Sequence, residues 1–243
     1  MKASRVLSYG GGVQSAAIAV LIVQGRLPTP DCVVMADTGI EASETWEYMD
    51  ATVRPLLRRV GLEVSIAPPS LATVGLFSKS GKPLIPAFTS DGGKLPNYCS
   101  VEWKRRVVQR WLRANGHTDV ELWLGISRDE VERAKDSPVR WMTHRYPLLM
   151  DVPMSRAECI ALVTGHGLPQ PPRSSCFGCP FRTNLEWKHL KERNDGDWEK
   201  AVALDESLPE GLYVHRSGTP LAKANLGEAQ GELDFCESGY CWT

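Results

Sequence analysis

The sequence predicts an α/β fold, a doubly wound parallel sheet with a small cysteine-containing carboxy-terminal extension. Three observations carry that expectation. Short apolar runs alternate with segments of helical length, as crossover-connected parallel strands require. The first run, Arg5-Val6-Leu7-Ser8, ends in Gly10-Gly11-Gly12 just ahead of a helix that is apolar nearly all round. The composition is ordinary for a globular chain of 243 residues, with 42% hydrophobic and 23% charged residues.

In chain order, the run at residues 5–8 reads as the first strand and residues 13–24 as a buried helix closed by Gly25. Residues 32–36 give a second strand and end at the polar turn Asp37-Thr38-Gly39. Residues 43–60 are amphipathic, with Trp46, Met49, Val53, Leu56, Leu57 and Val60 near helical spacing, a kink expected at Pro55 and a stop at Gly61. Residues 62–67 and 120–124 supply a third and a fourth strand. Between them, residues 68–98 are rich in Gly, Pro, Ser and Thr and read as a long functional loop. Ser100 is placed to cap a helix with the stripe Trp103, Val107, Trp111 and Leu112, opposed by Lys104, Arg105, Arg106, Arg110 and Arg113. Ser155-x-x-Glu158 and Thr183-x-x-Glu186 are capping-box helix starts. The expected organisation is a nucleotide-binding domain at 1–181 and a helical and irregular extension at 182–243.

With 28 Lys and Arg against 29 Asp and Glu, the net charge of −1 implies no whole-molecule grip on nucleic acid. A local basic face stays open. The longest apolar run, residues 16–23, is too short to span a bilayer, and the amino terminus shows no secretory pattern. A cytoplasmic protein without a membrane partner is expected. Seven cysteines in a reducing compartment favour metal or redox chemistry over a disulfide framework.

Ser8-Tyr9-Gly10-Gly11-Gly12-Val13-Gln14-Ser15 places glycines between a strand and a helix amino terminus. Such a turn suits an anion, because backbone amides approach it closely and the helix dipole favours it. Ser8 and Ser15 add hydroxyl donors, and a side chain at Gly11 is expected to fill the phosphate position. The turn carries neither the Gly-Lys-Ser/Thr ending of the common phosphate loop nor the dinucleotide fingerprint. Asp37-Thr38-Gly39 lies where open α/β sheets hold their ligands. Cys176-x-x-Cys179 sits in a Gly/Pro-flanked turn that could serve a metal centre, a zinc knuckle or a redox dithiol.

In this order the motifs resemble the phosphoadenylylsulfate (PAPS) reductase family, within the adenine nucleotide α-hydrolase superfamily with its pyrophosphatase loop. The likeness covers about residues 5–181. It comprises the glycine turn, Asp37-Thr38-Gly39 followed by Glu44-Thr45, Tyr98-Cys99-Ser100 leading to Lys104, and Gly125-Ile126-Ser127-Arg128-Asp129-Glu130 with Arg133. Tyr146-Pro147-Leu148, His166-Gly167-Leu168-Pro169 and Cys176-Phe177-Gly178-Cys179-Pro180 complete it. Val13 and Gln14 stand where the family's loop carries Lys-Asp. Phosphate charge must then meet amides and the cations Lys104, Arg128 or Arg133, unless the two arginines form surface pairs with Asp129 or Glu132.

The resemblance implies an adenine nucleotide, ATP or adenylyl sulfate, held by Ser8, Gly10, Gly11, Gly12, Ser15, Asp37, Thr38, Gly39, Gly125, Arg128 and Arg133. It also implies an iron–sulfur cluster, [4Fe-4S], on Cys99, Cys176 and Cys179, with Cys236 or Cys241 as fourth ligand or an iron left open. Asp37, Lys104, Arg128 and a carboxy-terminal nucleophile at Cys241 are the implied catalytic groups. Cys32 and Cys159 read as core residues. Three function classes follow. The first is a reductase releasing sulfite from a sulfonucleotide, with an electron donor such as thioredoxin and a homodimeric assembly. The second is an ATP-dependent sulfurtransferase that adenylates a nucleic acid and inserts sulfur. The third is a nucleotide-binding or cluster-sensing module without activity. Basic residues 104–113 with Trp141 and Trp187, expected to be exposed, point toward a nucleic-acid surface.

Overall fold

The computed structural model describes residues 3–68 and 74–227, which gather into two compact units. One unit comprises residues 3–37, 44–68 and 106–174; the other comprises 38–43, 74–105 and 175–227. No helix among the described residues is long and apolar enough to cross a membrane.

The first unit is built on five parallel strands, β1 (Ser4–Ser8), β2 (Cys32–Ala36), β3 (Val64–Ala67), β4 (Val120–Trp123) and β5 (Met142–Arg145), in the order β3-β2-β1-β4-β5. Val6, Leu7, Val33 and Val34 are fully buried, as strands covered on both faces must be. The chain winds outward from β1 to β3 and then returns to the other side of β1. The switch point therefore lies between β1 and β4, and open sheets bind ligands at its carboxyl edge.

Helix α1 (Val13–Val23) is buried from Ser15 through Ile22, which explains its lack of a polar face. It ends in a Schellman arrangement, with Gly25 N–H on the Ile22 carbonyl (3.0 Å), Arg26 N–H on that of Leu21 (2.9 Å) and Gly25 at φ +69°. The amphipathic stretch at 43–60 is helical through residue 58, with its irregularity just before Pro55. Helix α2 (Ser43–Tyr48) runs into a π turn at Met49–Val53 and then α3 (Arg54–Arg58) without leaving helical backbone, and Pro55 falls just after the π turn. Helix α4 (Arg106–Ala114) packs on β2 and β3 through Val107, Val108 and Leu112. The short α5 (Pro147–Met150) precedes α6 (Arg156–Gly165), whose capping box joins Ser155 and Glu158 and which packs against α1.

The second unit holds α7 (Asn184–Arg193), capped by Thr183 and Glu186, and α8 (Asp197–Glu206). A short antiparallel ribbon pairs Phe88 with Tyr213 and Thr89 with Leu212. Its core joins Ile40, Leu84, Ile85, Trp103, Trp187, Leu190, Val214 and Leu221. Trp187 corrects the sequence expectation. It is fully buried, edge-on to Trp198 with ring centroids 6.4 Å apart, and offers no exposed stacking face. The buried Asp205 carboxylate accepts the amides of Val214 and Leu221, each at 2.7 Å, and thereby ties the segment after α8 to the helix.

Candidate functional site

In the first unit, the turn after β1 brings together Ser8, Gly10, Gly11, Gly12 and Ser15 at the amino terminus of α1. Gly11 has φ +78°, and a Cβ there would lie 2.7 Å from Thr45 Cγ2 and 3.2 Å from Ser174 Oγ. A side chain at Gly11 thus meets protein, which corrects the expectation that it would enter the phosphate position. Ser174 donates its hydroxyl to the Gly10 carbonyl, and Ser15 donates to that of Gly12 at 2.9 Å. Ser8 Oγ and Thr45 Oγ1 are buried without a hydrogen-bond partner. Buried hydroxyls are seldom left so unless a ligand or water meets them. A helix amino terminus beside an unpartnered buried serine, at a switch point, fits the phosphates of a nucleotide.

Gly125 leaves β4 against the start of α1, where a Cβ would come within 3.0 Å of the Ser15 nitrogen. A side chain there would need the start of α1 to give by a few tenths of an ångström. Gln14 donates to Glu130 Oε2 (3.2 Å) and Ser127 Oγ (3.4 Å), and Arg133 Nη1 lies 3.0 Å from the same Glu130 oxygen. Both partners of this ion pair are nearly excluded from water, and burial raises the Glu130 pKa against the lowering pull of Arg133. Glu130 Oε1 and Arg133 Nε remain without partners. Arg128 is instead exposed and pairs with Glu158 at 2.6 Å. The arginine pairs are therefore with Glu158 and Glu130, not with Asp129 or Glu132. Asp37 is half-buried at the end of β2, its amide 3.4 Å from the Ala67 carbonyl.

In the second unit, one pocket is lined by Cys99, Cys176 and Cys179 together with Thr38, Asn97 and Lys104. The Cys-x-x-Cys turn is pinned from several sides. Phe177 N–H donates to the Ile40 carbonyl (2.8 Å), Cys179 N–H to that of Cys176 (3.1 Å), and Arg182 Nε to the Cys176 carbonyl (3.1 Å). A Cβ at Gly178 would meet Leu204 Cδ2 at 2.1 Å, so a side chain there would have to displace the Leu204 side chain. Cys99 donates its thiol to Asn97 Oδ1 at 3.1 Å, and Cys176 Sγ lies 3.5 Å from Thr38 Oγ1.

Glu41, which the sequence reading passed over, stands behind these groups. Its Oε1 lies 3.2 Å from Lys104 Nζ, accepts the Thr38 hydroxyl at 3.3 Å and is 3.9 Å from Cys176 Sγ. Its other oxygen is buried without a partner. The only hint in the sequence was one acid among apolar residues, two positions beyond the Asp37-Thr38-Gly39 turn.

Three thiols and a buried lysine line one pocket, and thiolates are soft donors. Among the described residues, no three His, Cys, Asp or Glu side chains gather closely enough to hold a single metal ion. Cys32 and Cys159 lie in the first unit, where burial pushes their thiols up to about 11 and about 12. Cys236 and Cys241 lie outside the described residues.

The class defined by these features is an open α/β protein with a parallel sheet and a switch point between β1 and β4. No family model matches the chain, and no curated protein matches it in sequence. Among solved structures it is similar to the PAPS reductase from Candida auris, in its phosphate complex, with 13% identity over 70% of this chain and 76% of that one and a TM-score of 0.46. It is also similar to the U34-tRNA thiolase NcsA from Methanococcus maripaludis, solved with its [4Fe-4S] cluster. There the identity is 16% over 86% of this chain and 73% of that one, with a TM-score of 0.49. Both likenesses are distant.

Proposed function

We propose that the chain is an ATP-dependent sulfurtransferase that adenylates an oxygen of a nucleic acid and replaces it with sulfur. The observation that carries this reading is the set of three cysteines, Cys99, Cys176 and Cys179, among the residues lining one pocket. Three thiolates would hold a [4Fe-4S] cluster and leave one iron open, and the bound cluster would supply a place for sulfide. Four protein thiolates would close that place.

The amino terminus of α1 and the Ser8 hydroxyl bind the phosphates of ATP, and the Gln14–Glu130–Arg133 chain fixes the loop opposite them. The substrate oxygen attacks the α-phosphorus and pyrophosphate leaves. Sulfide then attacks the activated carbon or phosphorus, and AMP departs with the original oxygen. Lys104 supplies a fixed positive charge at the cysteine pocket, held in place by Glu41.

The competing reading is a sulfonucleotide reductase, favoured by the motif order alone. Iron-loaded protein under anaerobic conditions, given ATP, bulk tRNA and sulfide, should release AMP and pyrophosphate and yield a thiolated nucleoside by mass spectrometry. Sulfite formed from adenylyl sulfate and reduced thioredoxin, with no ATP consumed, would overturn the proposal in favour of the reductase.

A further inference from the structure

We infer that the exposed face of α4, together with Trp141, is an anchoring surface for RNA, specifically for a stem-loop with unstacked bases. The inference deepens the reading above by naming the class of nucleic acid, and it rests on that reading for its biological sense.

Helix α4 buries Val107, Val108 and Leu112 and exposes Arg106, Arg110 and Arg113. These arginines recur at i, i+4 and i+7, on one face and over about 10 Å of helix. Arg110 and Arg113 take no part in the ion pairs found among the described residues, whereas Arg54, Arg58, Arg128 and Arg145 of the same unit each face a carboxylate. A chain of net charge −1 thus carries on one helix face two exposed guanidinium groups, those of Arg110 and Arg113, that take part in no ion pair among the described residues.

A solvated helix face would end the matter there, but the arginines have planar company. The Arg113 guanidinium lies over the Trp141 ring, 4.1 Å from its centroid, and Trp111 stacks on His117 with centroids 6.5 Å apart and planes at 26°. Trp141 is half-buried, and its carbonyl accepts the Val120 amide at 3.0 Å, which fixes it at the amino ends of β4 and β5. A guanidinium plane held against an indole is pre-set to stack on a base while its charge meets phosphate. Proteins that take unpaired bases combine a basic track with aromatic faces in this way. Duplex grooves are read by other means, so a looped RNA is the occupant this chemistry fits.

The test is fluorescence anisotropy of a fluorescein-labelled RNA stem-loop with the full chain, without ATP. The double variant Arg110→Glu, Arg113→Glu should bind about tenfold or more weakly, and its salt slope should fall by roughly one to two units. Arg113→Lys keeps the charge but loses the planar stack, so it should weaken loop binding while leaving the salt slope nearly unchanged. Circular dichroism checks folding, and Arg110→Gln replaces the double variant if that one unfolds. Unchanged affinity and slope in the folded variants would overturn the surface, and equally tight binding of the same sequence as single-stranded DNA, or of duplex DNA, would overturn its assignment to RNA. RNA bound through this face with no AMP formed would sink the sulfurtransferase reading and leave the surface standing. ATP-dependent thiolation undiminished in the double variant would do the reverse.

Discussion

Lys104 Nζ lies 3.2 Å from Glu41 Oε1, with only 9% and 2% of the two side chains exposed. A pair so buried is costly to break from one side, because the remaining charge has lost its solvent and its partner. Lys104→Met should therefore lower stability by about 3–5 kcal/mol, and Lys104→Met with Glu41→Leu should recover most of it. Urea unfolding of the three proteins measures this. A single variant as stable as the parent would mean that water reaches Glu41. The double variant should stay inactive even when folded, since the fixed charge at the cysteine pocket is gone.

Gly11 and Gly116 share a left-handed backbone, at φ +78° and +82°, but differ in surroundings. Nothing lies within 4 Å of a Cβ at Gly116, whereas one at Gly11 would press on Thr45 at 2.7 Å. Gly116→Ala should cost about 1–2 kcal/mol from the backbone alone. Gly11→Ala should cost more, and adding Thr45→Ser should recover the difference by removing the clashing methyl. Thermal unfolding of the set separates the two terms, and equal losses at both glycines would refute the steric one.

Much of this arrangement is legible in the sequence wherever a local pattern determines the outcome. Strand β2 and helix α1 are apolar nearly all round because they are covered, and both capping boxes depend on neighbours three residues apart. Strand β5 escapes notice because Met142-Thr143-His144-Arg145 buries only Met142 and borrows its pairing from β4. Residues 68–98 read as a loop, yet Leu84, Ile85 and Ala87 are buried among Trp187 and Val214, partners that no local pattern reveals. Trp187 looks exposed among charged neighbours for the same reason. The site divides similarly. The glycine turn and the cysteines are visible by type and order, while Glu41 matters through Lys104 and Cys176, both far along the chain.

Acid should expose one contribution with a definite sign. The amide of Ser155, then its side chain, then Arg128 hold the Glu158 carboxylate, and its pKa falls from an ordinary 4.5 to about 2. A depressed folded pKa means stabilisation that is present above the unfolded value and disappears as pH falls from 4.5 to about 2. Glu158→Gln should be less stable than the parent near neutrality, with the gap closing across that window. Thermal midpoints of the two proteins against pH give the comparison. A gap constant with pH would assign the effect to packing at the α6 cap instead of charge.

The cysteines make the last and most exposed prediction. Cys99, Cys176 and Cys179 share a pocket in the second unit, while Cys32 and Cys159 are held as neutral thiols in the first, their pKa values raised by burial to about 11 and about 12. A metal ligand must give up its proton, so the latter two are poor candidates even where iron is abundant. Protein purified anaerobically should be brown, and Ala at Cys99, Cys176 or Cys179 should each remove the colour and most of the iron. Ser at Cys32 or Cys159 should leave both unchanged. Cys236→Ala and Cys241→Ala decide between three thiolates and four: retained iron in both variants keeps an iron open for sulfide, and its loss in either closes that position. A single zinc ion would need its donors converging at about 2.3 Å from one point. A colourless preparation with one equivalent of zinc would mean that the three cysteines close together on binding. The sulfur-insertion chemistry would fall with that result, since zinc held by a closed thiolate set has no open place for a transferable sulfide.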